Sequence, residues 1–273
     1  MERNEQTDQK NDFQFVLFSP PLEGSGEAHI RLNRPSKHNS IIPELLQELD
    51  EILDQLAVTP EIKTVVLSGN GPSFCAGADL NWFASSIEKS HEQNETEYKL
   101  LANVLQKLYE LPQITIAAVS GNILGGGNGL MAACDLILAD ESSVFSFSEI
   151  NLGIIPATIL PFVAQRIPMQ KAKEWIFSGK RFSAGEALQA GLIDRITPDL
   201  EQGISGVLKE LADKPSGALR SGKALINKIY SGEITVRDGS HTAGVLAGLL
   251  QTGEARERIN SFLKNRISRQ REA

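Results

Sequence analysis

Cysteine is scarce: the 273 residues include two, Cys75 and Cys134, with no CxxC pair and no histidine at metal-ligand spacing. A disulfide framework and a structural zinc site are therefore not indicated, and both thiols read as buried and free. Long apolar runs are missing as well. No stretch approaches the roughly 20 residues that a membrane span needs, and the opening MERNEQTDQKND is too polar for a secretory signal and too acidic for an organelle transit peptide. We expect a cytoplasmic protein with no membrane partner, a flexible tail over residues 1–12, and an unglycosylated sequon at Asn94-Glu95-Thr96.

Positive charge is in deficit, with 27 Lys and Arg against 34 Asp and Glu and a net charge of -7. A phosphate polymer is repelled by such a surface at long range. Aromatics at 6% offer few platforms for stacking bases, so no nucleic-acid partner is expected. Several catalytic signatures are also missing. There is no G-x-S-x-G elbow, and His91-Glu92 lacks the second histidine of a zinc protease, so no metal is expected.

What is present reads as an α/β protein. FQFVLF (13–18) and AHIRL (28–32) are two strands of a hairpin around a Pro/Gly/Ser-rich turn. PELLQELDEILDQLA repeats Leu45, Leu49, Ile52, Leu53 and Leu56 at helical spacing, and a second helix over about 96–110 carries Leu101, Val104, Leu105 and Leu108. Apolar strand, Ser-Gly-Asn, loop and helix start occur at 65–80 and again at 116–130, a weak internal repeat that would present equivalent loops on one side. RFSAGEALQAGLIDRITP opens a helix with a capping box at Ser183 and Glu186 and closes it at Gly191. Beyond residue 200, helical patterns separated by Pro and Gly predict a helical subdomain over 201–273.

The chemistry centres on ILGGGNGLMAACD (123–135), where three consecutive glycines leave the backbone bare. A phosphate loop would end in Gly-Lys-Ser/Thr, which is absent. Gly127-Asn128-Gly129-Leu130-Met131-Ala132 fits G-x-G-x-x-A, with Glu149 twenty residues past Gly129. The helix that follows is too short for a dinucleotide-binding crossover, so that match is accidental. Two readings stay open: paired backbone N–H groups, from Ala76-Gly77-Ala78 and Gly125-Gly126-Gly127, aimed at a developing oxyanion, or two tight turns without chemistry. Glu149 stands alone in the otherwise uncharged SFSEINLGIIP. A carboxylate so placed has a raised pKa and exchanges a proton near neutrality, unless it is a hydrogen-bonded structural glutamate.

Taken in order, LNRPSKHNS, SFCAGADL, AAVSGNILGGGNGLMAACDLILA, FSFSEINLGIIP and FSAGEALQAGLID resemble the crotonase, or enoyl-CoA hydratase/isomerase, superfamily over about residues 28–200. The resemblance implies a spiral core of repeated ββα units over 13–200 and a C-terminal helical trimerisation region, giving a homotrimer or dimer of trimers. It implies an acyl-CoA thioester as substrate, so that coenzyme A arrives with the substrate and no separate cofactor is needed. By position, Ala76 and Gly126 match the residues whose N–H groups hold the thioester carbonyl, and Glu149 matches a catalytic glutamate. Lys37, His38, Ala76, Gly77, Ala78, Asp79, Leu80, Gly125, Gly126 and Gly129 fall where the family binds its CoA ester, Lys37 as a cation for the phosphates. The chain departs from the family at Gly129, where hydratases carry a first glutamate. GGGNGLMAACD with SEINLGIIPATILPFV is similar to the methylglutaconyl-CoA hydratase group, which implies hydration or dehydration of a branched glutaconyl-CoA. A Δ3,Δ2-enoyl-CoA isomerase with one glutamate is the alternative, and a noncatalytic CoA-ester- or RNA-binding member of the fold is a third reading.

Overall fold

A computed structural model describes residues 13–21 and 25–271, with side chains to residue 264; the tail expected at 1–12 lies outside the described residues. β1 (Val16–Ser19) and β2 (Glu27–Leu32) form the expected antiparallel hairpin, Val16 opposite Leu32. α1 (Pro43–Ala57) starts on a proline, whose fixed φ suits a first turn, and buries Leu45, Leu49, Ile52, Leu53 and Leu56 as the spacing predicts. β3 (Thr64–Gly69) follows, then α2 (Leu80–Ile87) and α3 (His91–Glu110). The sequence reading missed α2 and began α3 five residues late. Their starts are written in side-chain caps instead of apolar period: Asp79 accepts from Asn81 N–H at 3.0 Å, and Ser90 and Gln93 form a reciprocal capping box.

The chain continues through β4 (Ile114–Val119), β5 (Asn122–Leu124), α4 (Gly126–Ala132), β6 (Leu136–Asp140) and β7 (Val144–Ser146). A 3-10 turn at Ser148–Leu152 leads to α5 (Leu160–Arg166) and α6 (Met169–Ser178). β8 (Arg181–Ser183), α7 (Ala184–Ala190) and β9 (Arg195–Thr197) close this region, and α7 carries the Ser183–Glu186 capping box and a left-handed Gly191.

The strands make two sheets, one in the order β1-β2-β3-β4-β6-β9, parallel beyond the first pair, and a smaller one in the order β5-β7-β8. The core thus advances by a strand in each sheet and then a helix, as in β4-β5-α4. Where the sequence reads as apolar strand, Ser-Gly-Asn and loop, the chain turns at Ser120-Gly121 and adds a second short strand, so that 114–124 is divided between the two sheets. Because β3 and β4 run parallel, the loops leaving their C-terminal ends emerge together. An aromatic cluster ties the small sheet to α6: Phe182 stacks on Trp175 with centroids 3.7 Å apart and lies 5.6 Å from Phe145 and 5.9 Å from Phe147.

The chain divides into two compact units, Met1–Gly206 and Val207–Ala273. The division falls inside α8 (Leu200–Ala212). The second unit holds α9 (Ser216–Tyr230), α10 (Gly239–Leu250) and α11 (Gly253–Arg271). Its surface exposes Ile226, Ile229, Tyr230, Val236, Leu246 and Leu250. No helix among the described residues is long and apolar enough to cross a membrane.

Candidate active site

The loops after β3 and β4 are stitched together by backbone. Cys75 N–H donates to Asn122 O at 3.2 Å and Leu124 N–H to Cys75 O at 3.0 Å. Such close pairing explains the glycines on both sides. A Cβ on Gly77 would lie 2.9 Å from Leu124 O, and one on Gly127 would lie 2.4 Å from Cys75 O. Cys75 beneath this seam is fully buried, which pushes its thiol up to about 12 although Gly77 N–H and Arg34 pull the other way.

Every buried backbone donor needs an accounting, and that accounting changes the expected assignment of the oxyanion donors. Ala76 N–H donates to His38 O at 2.9 Å, so it is not available to a substrate carbonyl. Ala78 differs. Ile41 N–H donates to Gly77 O at 2.8 Å and Asp79 N–H to Ile41 O at 2.9 Å. Backbone groups alternate along an extended segment, so Ala78 N–H points away from Ile41, and it has no partner among the described residues. Gly126 N–H is the first of α4 and has no intrahelical acceptor. Ala78 and Gly126 thus each present an open donor, one on each stitched loop. Sequence could not separate Ala76 from Ala78, because the choice depends on pairing with residues 38–41.

Glu149 lies against the same turn. Gly125 has φ 45° and ψ -121°, a conformation that requires glycine, and a Cβ there would fall 2.8 Å from Glu149 Oε1 and push the carboxylate aside. Gly125 N–H donates to Ser146 O at 3.0 Å, and Asn128 Nδ2 donates to Ser146 O at 2.9 Å and Ile123 O at 3.1 Å. The end of β7 is thereby fixed to the start of α4. Phe147, fully buried in the aromatic cluster, anchors the chain two residues before Glu149. Burial pushes the Glu149 carboxyl above its ordinary value, only partly offset by its own backbone N–H, and Oε2 is buried with no hydrogen-bond partner among the described residues. A structural glutamate would have its lone pairs satisfied; this one has an oxygen to spare.

The remaining expected residues surround this turn in different ways. Asp79 is held by Arg34 Nη2 at 3.2 Å, Ser40 Oγ at 3.0 Å and Asn81 N–H, so its carboxylate is occupied by the protein and fastens the loop. Burial alone would raise its pKa, but these partners outweigh it and hold it low. Lys37 and His38 are exposed on the 3-10 turn that precedes α1, with His38 Nδ1 3.0 Å from Ser73 Oγ. Leu80 is exposed at the start of α2. Gly129 is buried inside α4. Sequence reasoning did not find Arg34, nor the attachment of α2 to α3, where Trp82 Nε1 donates to Glu97 at 2.7 Å and Lys89 Nζ reaches the same carboxylate at 2.6 Å. These partners are separated by 45, 15 and 8 residues, and no local spacing announces them. Among the described residues, no three His, Cys, Asp or Glu side chains gather as a metal site.

Comparison with known proteins bears on the chain as a whole. Residues 23–269 match the family model described as Enoyl-CoA hydratase/isomerase. An enoyl-CoA isomerase/hydratase of Mycosarcoma maydis is 35% identical over 265 residues, covering 89% of this chain and 92% of that one. Among solved structures, an enoyl-CoA hydratase from Shewanella pealeana superposes with a TM-score of 0.87 at 28% identity, covering 93% of this chain and 94% of the other. An enoyl-CoA hydratase from Mycobacterium smegmatis gives 0.86 at 29% identity, covering 92% and 97%.

Proposed function

The chain belongs to the enoyl-CoA hydratase/isomerase family, and from that premise we propose that it is a hydratase/dehydratase of a 2-enoyl-CoA thioester, worked by Glu149 as its one carboxylate. The observation that carries the reading is the Glu149 carboxylate, raised by burial, with a free buried oxygen, against the turn whose next N–H is open. The thioester carbonyl accepts from Ala78 N–H and Gly126 N–H. Donors of this kind are each worth about 2.7 to 4 kcal/mol when charge develops on the oxygen.

For dehydration, the Glu149 carboxylate takes the C2 proton and the electron pair moves to the carbonyl oxygen, giving an enolate held by the two N–H groups. The enolate collapses, the C3–O bond breaks, and Glu149 returns its proton to the departing oxygen as water leaves. Hydration is the same path reversed. One carboxylate serves both ends, so the missing glutamate at 129 does not interrupt the balance. A branched glutaconyl-CoA such as 3-methylglutaconyl-CoA is the substrate favoured by the similarity of 125–135 and 148–163 to that hydratase group. Lys37, exposed near the loop, suits the CoA phosphates.

A second reading, Δ3,Δ2-enoyl-CoA isomerisation, is favoured by the apolar packing at Gly129, because moving a proton between C2 and C4 consumes no water. Purified protein assayed on 3-methylglutaconyl-CoA, 3-hydroxy-3-methylglutaryl-CoA, crotonyl-CoA and a 3-enoyl-CoA separates the two. Interconversion of the first pair supports the proposal. Turnover of the 3-enoyl-CoA alone would replace it by the isomerase.

A further inference from the structure

Gly129 lies one helical turn beyond Gly126, and a Cβ built on it would meet Ile159 Cγ2 at 2.3 Å, Ile159 Cβ at 2.9 Å and Leu105 Cδ1 at 3.3 Å. The first two distances are impossible for real atoms. Turning the Ile159 side chain cannot relieve the second, because Cβ moves only with the backbone. That backbone is fixed: Ile159 N–H donates to Pro156 O at 3.3 Å, Val163 N–H donates to Ile159 O at 3.2 Å, and Ile159 is 1% exposed. Residues 149–159 form one excursion, with the acid–base carboxylate at its start and this isoleucine at its end.

We infer that Ile159 is a specificity-determining residue of the Glu149 site: it fills the volume a side chain at 129 would need and confines the enzyme to reactions that one carboxylate can conduct. The inference rests on the reading of Glu149 proposed above. The glycine at 129 and the isoleucine at 159 are then a matched pair. A glutamate at 129 has no room until Ile159 is cut back. With Ile159 shortened, the carboxylate introduced by Gly129→Glu can take a proton from water as the water oxygen bonds to C3, while protonated Glu149 gives its proton to C2. This two-carboxylate path hydrates a simple enoyl thioester with one group for each proton, where the wild type has Glu149 for both.

The experiment compares wild type, Ile159→Gly, Ile159→Val, Gly129→Glu, and Gly129→Glu combined with each isoleucine variant, assayed on crotonyl-CoA and on the best substrate found above. Crotonyl-CoA hydration relative to that substrate is expected to rise at least tenfold in the Gly129→Glu/Ile159→Gly protein, which lacks both blocking atoms. It is expected to stay at the wild-type ratio in Gly129→Glu alone and with Ile159→Val, because valine keeps the Cβ and Cγ2 atoms that block the space. Thermal denaturation supplies a second readout. Gly129→Ala should lower Tm by several degrees in wild type and by clearly less in an Ile159→Gly background. Equal losses in both backgrounds, or an unmoved ratio in the Gly129→Glu/Ile159→Gly protein, would overturn the role of Ile159 while leaving Glu149 in place. A wild type inert towards every thioester overturns the reading of the site itself.

Discussion

Glu149 is costly to the fold when ionised. Its pKa is raised in the native protein, so between the unfolded and folded values the native state binds more protons than the unfolded one. Stability contributed by the protonated form is present at low pH and lost as pH rises through that window. Glu149→Gln is therefore expected to raise Tm at pH 8 and to flatten its fall as pH rises above the ordinary carboxylate range, while turnover drops about 10²- to 10⁴-fold, the usual scale for losing a general acid–base group. Melting curves across pH beside a rate assay test both halves; a lower Tm at pH 8 would place Glu149 in a satisfied structural role. This residue was legible in the sequence because no other charge surrounds it in SFSEINLGIIP. The open donor at Ala78 was not, since Ala76 and Ala78 have the same side chain and differ only in what residues 38–41 take from them.

At the scale of elements, Asp79 links two jobs: it caps α2 and it clamps the donor loop to Arg34 and Ser40. The pair is shielded, with 14% of the Arg34 side chain and 10% of the Asp79 side chain exposed. Asp79→Asn leaves Arg34 without its counter-charge and is expected to cost on the order of 3 kcal/mol, near the low end for a broken buried pair. Because the partners lower the Asp79 pKa, this contribution is present above the unfolded carboxylate value and fades as pH falls through the folded one. Urea titrations at pH 7 and pH 3 should show a large difference between variant and wild type at the first and a smaller one at the second. Elements with an apolar period, such as α1, were readable from sequence; α2 and the first turn of α3 were not, because polar caps start them and the Glu97 contacts secure α2.

For the whole molecule, the order of strands and helices through residue 206 follows from motifs strung along the chain, whereas assembly does not. Ile226, Ile229 and Tyr230 on α9 and Leu246 and Leu250 on α10 are exposed, and we propose that they meet other copies of the chain. The expected homotrimer or dimer of trimers predicts a sedimentation mass three or six times that of the chain. Ile229→Asp should lower that mass, whereas a wild type sedimenting as a single chain rejects the assembly.

The seam over Cys75 also offers a clock. A thiol with a pKa near 12, buried where the two loops meet, reacts with a disulfide reagent only when the seam parts. In a Cys134→Ser background its labelling rate counts those openings one molecule at a time, and a thioester bridging Ala78 and Gly126 should slow it. Catalytic order and chemical silence are then two faces of one closure, and the second can be timed without knowing the substrate's fate.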